Sequence, residues 1–313
     1  MKRFVFVILM FCAMWLTISC HSSSQLISQT DCYKVEHTAG IACVPKTINR
    51  LVTLDSASFE NAIALGLTPV GTVLAEQSTP YLQQQSIVNV GQSGNPSLEA
   101  VLALKPDLIV GLSYHNSIYA QLSQIAPTVL LELEHSGKWK EYFRDFGRIL
   151  NRTAIAQQVI QQYDRRVQEF KTQLSATPPK ISVVRVYPDS MSLYLQDSFS
   201  GVILKDAGLD RPKSQSLSAS EGQRLFGNPI QAIVSVEQIE QADGDMMFVW
   251  TSENTLASTE TAQKKLEELR SSDLWSKLQA VQNDHTYLVP NYWIGSSPLA
   301  ANAVIGDLFK YVH

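Results

Sequence analysis

Charge is scarce in this 313-residue chain: Asp, Glu, Lys and Arg together make 17% of it, and 25 basic residues face 29 acidic ones, a net charge of −4. A protein that neutralises a run of phosphates needs a basic excess, so nucleic acid is excluded as a partner by this balance. Long apolar runs are also missing. Phe4 to Leu16 is the longest, well short of the roughly 20 residues that a helix needs to cross a bilayer core. No two of the six histidines, at 21, 37, 115, 135, 285 and 313, stand at the four-residue spacing of a helical zinc site. There is no G-x-S-x-G elbow, no phosphate-binding G-x-x-x-x-G-K-[ST] loop and no G-x-G-x-x-G. Catalysis thus has no assembled motif to rest on, although a spatially assembled Ser-His-acid cluster is not visible to such a search.

The apolar run that is present sits behind Lys2 and Arg3 and ends in Thr17-Ile18-Ser19 before Cys20. A positive start, a short apolar stretch and a small-residue end are the three parts of a secretory signal, expected over residues 1–19. The Cys that follows resembles the lipobox of bacterial lipoproteins, in which Cys20 would be acylated. Removing the signal takes Lys2 and Arg3 from the basic count and no acid, which moves the balance from −4 to −6. With Cys12 inside the signal and Cys20 lipidated, Cys32 and Cys43 remain as an even pair in an oxidising compartment. A disulfide between them is expected, with two free thiols as the alternative.

From Leu51 short apolar runs alternate with helical periods. Leu51–Leu54, Val70–Val73, Leu108–Val110 and Thr128–Leu131 read as strands, and Phe59–Leu67, Leu98–Leu104 and Ile118–Ile125 as helices. Such alternation argues for a largely parallel sheet covered on both faces. A long polar stretch, about Lys138 to Leu174, carries Leu150, Ile155, Val159, Ile160, Tyr163, Val167, Phe170 and Leu174 at spacings of mostly three and four, which predicts one amphipathic helix ended by Pro178-Pro179. Strands then resume at Ile181–Val186, Ser192–Leu195, Met246–Val249 and Thr286–Val289. The fold class is therefore α/β: two three-layer α/β/α lobes bridged by a single long helix. The expected divisions are 1–19 signal, 20–44 lipidated tether and disulfide-closed extension, 45–150 first lobe, 151–177 bridging helix and 178–313 second lobe. An internal echo supports duplication: Ser97-Leu98-Glu99 runs on to the strand from Leu108, and Ser235-Val236-Glu237 runs on at the same spacing to the strand from Met246.

Several stretches together carry a family resemblance. V-T-L-D at Val52–Asp55, N-P-S-L-E-A-V-L-A-L-K-P-D-L-I-V at Asn95–Val110, I-A-P-T-V at Ile125–Val129, V-V-R-V-Y-P at Val183–Pro188, D-S-F-S-G-V-I-L-K-D-A-G-L-D-R-P at Asp197–Pro212, V-S-V-E-Q-I at Val234–Ile239 and W-I-G-S-S-P-L-A-A-N at Trp293–Asn302 resemble the substrate-binding lipoproteins of iron-siderophore ABC transporters, cyanobacterial ones in particular. The resemblance implies two lobes with the ligand in the cleft between them, no enzymatic activity, no cofactor and no direct metal ligand, since a siderophore brings its iron already wrapped in oxygen. It also implies an ABC permease dimer with its ATPase as partner, a monomeric state, and a lipid-anchored place on the periplasmic side of the cell membrane. Hydroxamate or citrate-hydroxamate ligands are favoured; haem or cobalamin on the same fold, with Tyr114 or His115 as an axial haem ligand, is the related alternative. An exported hydrolase or an adhesion module is the alternative of another class.

An oxygen-rich, anionic shell is gripped by guanidinium forks, and its organic skeleton is covered by aromatic rings. Arg185 at the end of one strand is expected to do the first, or to form a salt bridge across the lobe interface, and Tyr187 beside it is a further ligand candidate. Tyr114 matches the position of a tyrosine in a hydroxamate-binding relative. Gln92 and Ser93 occupy a loop where relatives often carry an arginine, and would replace it as neutral hydrogen-bonding groups. Phe226, Trp250, Tyr292 and Trp293 are candidates for an aromatic wall, against a role as core plugs. Glu99 and Glu237 match the pair of exposed carboxylates, one per lobe, that meet arginines of the permease.

Overall fold

The structure is a computed structural model that describes residues 31–73, 87–92, 94–251 and 256–312. The expected signal, Cys20 and Ser93 lie outside the described residues.

The first lobe is built on five parallel strands in the order Val88–Asn89, Gly71–Thr72, Leu51–Thr53, Leu108–Leu112, Thr128–Leu131. Leu51–Thr53, Leu108–Val110 and Thr128–Leu131 are buried at every position because both faces of the sheet are covered there. Val52, Ile109 and Leu130 face one core with Val101 and Leu122. Leu51, Leu108, Val110 and Val129 face the other.

The second lobe carries a mixed sheet, Gln231–Val234, Met191–Tyr194, Ile181–Val186, Met246–Trp250, Thr286–Leu288. Met191–Tyr194 pairs antiparallel with both of its neighbours, and the remaining two pairings are parallel. Period-two alternation again divides the faces: Val184, Val186, Met247 and Val249 share one core, while Ile181, Val183, Phe248 and Trp250 share the other.

That second core is common to both lobes. It runs from Val110, Trp139 and Phe146 through Tyr163 and Val167 to Phe199, Phe248, Trp293 and Val304, so the lobes are joined by packed side chains as well as by chain. Tyr163 and Val167 belong to the helix Thr153–Lys171, whose 19 residues span about 28 Å at 1.5 Å per residue. The helix is tied on both sides, because its Asp164 Oδ1 lies 3.8 Å from Lys140 Nζ and its Tyr163 hydroxyl donates to Asp206 Oδ2 at 2.8 Å; Lys140 Nζ also lies 2.7 Å from that Asp206 oxygen.

The long helix expected from Lys138 to Leu174 is in fact two, Trp139–Ile149 and Thr153–Lys171. The break falls at Asn151, whose φ of 54° is left-handed. Close packing enforces it: a Cβ on Gly147 would come within 2.6 Å of Ala156 Cβ, so the two helices meet where the earlier one has no side chain.

Ahead of the first lobe, Cys32–His37 and Gly40–Pro45 form an antiparallel hairpin. The sulfurs of Cys32 and Cys43 are joined across it, with the Cα atoms 5.5 Å apart. The hairpin lies on the first lobe through buried Val35 and Val44, the Tyr33 hydroxyl on Ile149 O at 2.5 Å, and the Thr38 amide and hydroxyl, both on Leu130 O.

Candidate ligand-binding site

Arg185 is the last residue but one of its strand, directly opposite Trp250 on the parallel neighbour. That register places the guanidinium carbon 4.3 Å from the Trp250 ring centroid, and the turn that follows brings the Tyr187 ring to 4.2 Å. A guanidinium between two rings is attracted by both quadrupoles, at about 0.5–2 kcal/mol each. Its plane is thereby fixed. Tyr194, almost wholly buried, stands beside Trp250 with ring centroids 6.0 Å apart, and its hydroxyl shares hydrogen bonds with Arg185 and Tyr187. Burial raises the Tyr194 pKa, so the phenol stays protonated.

A second arginine sits behind this group. Arg211 donates through Nη2 to the Tyr194 carbonyl and to Gln215 Oε1; burial lowers its pKa to about 9, which leaves it charged at neutral pH. Gln215 Oε1 also accepts from Val183 N at 2.9 Å, and its Nε2 donates to Ser182 Oγ at 2.6 Å. The backbone below Arg185 is therefore held by side chains as well as by the sheet ladder.

In the first lobe, Tyr114 follows the strand Leu108–Leu112 and is 51% exposed. Its ring rests on His115 at 4.1 Å. His115 itself is 1% exposed, with Nδ1 3.2 Å from Leu112 O, and burial lowers its pKa, so it is a neutral packing residue. The expectation of His115 as an axial ligand fails on that enclosure. At the neighbouring strand end Asp55 caps the helix Ser56–Ala64, accepting from Ser58 N at 2.7 Å and from Ser58 Oγ at 2.9 Å. Burial pushes its pKa up to about 6.

The aromatic candidates separate. Trp293 is fully buried, stacked on Phe248 at 4.3 Å with its Nε1 donating to Asp307 Oδ2 at 2.8 Å; it plugs the core and lines no surface. Trp250 is also buried, as the platform for Arg185. Tyr292 is half-buried and its hydroxyl donates to the same Asp307 oxygen at 2.8 Å. Phe226 ends the helix Ala219–Phe226 and is 46% exposed, ahead of left-handed Gly227. Gln92 is exposed in the two-residue strand Gly91–Gln92.

Glu99 and Glu237 take equivalent places. Ser97 caps the helix Leu98–Ala103 and Ser235 the 3-10 turn Val236–Ala242, so each Glu is the second residue of a capped turn, and both are exposed. Hydrogen bonds from its own amide and from Ser235 lower the Glu237 pKa. A polar groove of about 960 Å³ also lies between the two lobes, lined by Glu134, Lys138, Lys140, Asp197, Asp206 and Gln223 among others. None of the described ligand candidates lines it, and its Lys140 is already paired with Asp206.

Sequence reasoning missed Tyr194 and Arg211. Both lie inside stretches noted for other reasons, and their relation to Arg185 follows from a pairing register that the sequence does not print.

Comparisons with known proteins agree with this layout. Over 302 residues the chain is 32% identical to the probable siderophore-binding lipoprotein YfiY of Bacillus subtilis, covering 93% of this chain and 90% of that protein. It is 30% identical over 274 residues to the achromobactin-binding periplasmic protein of Dickeya dadantii, covering 83% and 85%. The fold is similar to Staphylococcus aureus SirA complexed with staphyloferrin B, with a TM-score of 0.76 and 28% identity over 90% of this chain and 98% of that one. Residues 51–292, which hold both sheets and the stacked Arg185, match the model of the periplasmic binding proteins, and the chain belongs to that family.

Proposed function

We propose that this protein captures a ferric siderophore outside the cytoplasmic membrane and delivers it to an ABC permease dimer with its ATPase for iron uptake. The observation that carries the reading is the Arg185 guanidinium clamped between Tyr187 and Trp250 at the carboxyl end of its strand, where α/β folds bind ligands. A fixed planar cation suits the oxygen shell of a chelated iron, which needs no protein ligand. Tyr114 supplies an aromatic face from the other lobe, and Gln92 a neutral polar group. Hydroxamate or citrate-hydroxamate ligands fit a wall whose described cation is a single stacked arginine. The relatives are named for binding siderophores, and the reading contains no catalytic step.

Acylation of Cys20 would hold the protein at the membrane, with the disulfide-closed hairpin as the first element among the described residues. Glu99 and Glu237, one on each lobe, would set the docking register on the permease; charges fixed on separate bodies govern orientation more than affinity.

The experiment is a titration of intrinsic tryptophan fluorescence in the mature domain with ferric citrate, ferric staphyloferrin B, ferric Desferal, haemin and cobalamin. Saturable quenching by a ferric siderophore, absent with its iron-free form, supports the reading. Binding of haemin or cobalamin alone, or of nothing, refutes it.

A further inference from the structure

Ile233 sits on the edge strand Gln231–Val234 and is 65% exposed. Its strand alternates strictly: Ala232 and Val234 are buried on one face, while Gln231 and Ile233 point to the other. The inward side is thus already apolar, and a polar residue at 233 would satisfy the pattern, as Gln231 does on the same face. Exposed edge strands ordinarily carry charge or proline rather than a bare β-branched side chain.

The pairing register shows where Ile233 stands. Ile233 is opposite Ser192, Ser192 is opposite Arg185, and Arg185 is opposite Trp250. Directly opposed residues share a face, so these four side chains form one row across the sheet. Ser192 and Trp250 are buried within it. The row meets solvent through partly exposed Arg185 and through Ile233, two strand spacings apart, about 10 Å.

We propose that Ile233 is a specificity-determining residue of the ligand site, an apolar contact on the same wall as the Arg185 cation. The inference rests on the ferric-siderophore reading above. A hexadentate iron chelate is wide enough to touch both: chelating oxygens on the guanidinium, and the hydrocarbon spans between chelating groups on the isoleucine. Ligands with polar or charged groups at that distance from the iron are disfavoured, because the group would lose water without gaining a partner.

The test compares Ile233→Ala, Ile233→Glu and Ile233→Arg with wild type in the mature protein, using ferric citrate, ferric staphyloferrin B and ferric Desferal at about 0.1 M salt, where screening acts over about 10 Å. Thermal midpoints are expected to stay at the wild-type value, since the side chain is exposed. With an anionic probe, Ile233→Glu should weaken binding about tenfold and Ile233→Arg should not weaken it; with the cationic ferric Desferal the order of these two should reverse. Ile233→Ala should weaken either by about threefold. Ile41→Glu, on the hairpin, adds the same charge elsewhere and should leave affinity unchanged.

Wild type binding a probe while all three variants bind it equally well overturns the inference alone. So does an Ile41→Glu effect as large as that of Ile233→Glu, which would make the response one of net charge. A wild-type protein that binds none of the three probes overturns the siderophore reading, and this inference with it.

Discussion

Ser297 and Glu60 are 237 residues apart in the chain, yet Ser297 Oγ donates to Glu60 Oε2 at 2.5 Å while accepting from Ala300 N at 3.1 Å. Beside them Asn61 Nδ2 donates to Ser296 O at 3.2 Å. The helix Ser56–Ala64 of the first lobe is thereby pinned to the start of the last helix, Pro298–Tyr311. Ser297→Ala removes a helix cap and strands a buried carboxyl, so it should cost about 1–3 kcal/mol in urea denaturation. Glu60→Gln should cost less, because burial already raises the Glu60 pKa and disfavours its charged form. Equal stability of Ser297→Ala and wild type would show that this contact contributes nothing.

Asp55 gives stability a pH dependence of defined sign. Its pKa rises from 3.8 to about 6 in the folded state, chiefly through desolvation, which Ser58 opposes by hydrogen bonding. A carboxyl with a raised folded pKa holds its proton more tightly when folded. Its contribution is therefore greatest below about pH 4, declines as pH rises through about 6, and is level beyond, a change of about 3 kcal/mol. Asp55→Asn keeps a capping side chain and cannot titrate. The difference in urea midpoint between variant and wild type should move in favour of the variant between about pH 4 and 6; a constant difference would contradict the assignment.

Arg185→Ala should weaken binding of the recognised ferric siderophore by about 1.5–3 kcal/mol, the range for a charge-assisted hydrogen bond. Arg185→Lys should fall between, since it keeps the charge but loses the planar fork held between Tyr187 and Trp250. Tyr194→Phe leaves the ring and removes the hydroxyl that Arg185 meets, at a cost of about 0.5–1.5 kcal/mol. Fluorescence titration measures all three. Undiminished affinity in Arg185→Ala would remove that residue from the site.

Glu99→Lys with Glu237→Lys should separate capture from delivery. Both side chains are exposed at capped turns, so the purified double variant should bind ligand as wild type does. Uptake of radioactive iron by cells that carry it should fall about tenfold or more, as like charges meet across an interface. Normal uptake would dismiss the docking role.

Much of this is legible in the sequence. Leu108–Leu112 and Thr128–Leu131 are strands because continuous apolar runs admit burial on both faces, and the Ser97 and Ser235 caps were visible as an echo of one pattern. The break at Asn151 shows in the sequence only as the five-residue step from Leu150 to Ile155, about 140° out of phase on a helix, and the regular spacings that follow mask it; the contact that accompanies the break, Gly147 against Ala156, is between residues nine apart. Trp293 looked like a loop aromatic because the carboxylate that holds its Nε1 lies 14 residues on, in a helix whose direction only packing decides. Tyr194 escaped for a similar reason: the face it shares with Arg185 is set by the turn in which Tyr187 N donates to Ser190 O.

The hairpin Cys32–Pro45 leaves its mark on how copies of this chain can live side by side. Strand Thr128–Leu131 ends the first sheet, and an uncovered end of a parallel sheet offers a row of backbone groups to any passing strand. Here Thr38 already occupies the Leu130 carbonyl, and both hairpin strands lie against that edge. Molecules gathered at high density on a surface could pair through that edge only after displacing the hairpin from it.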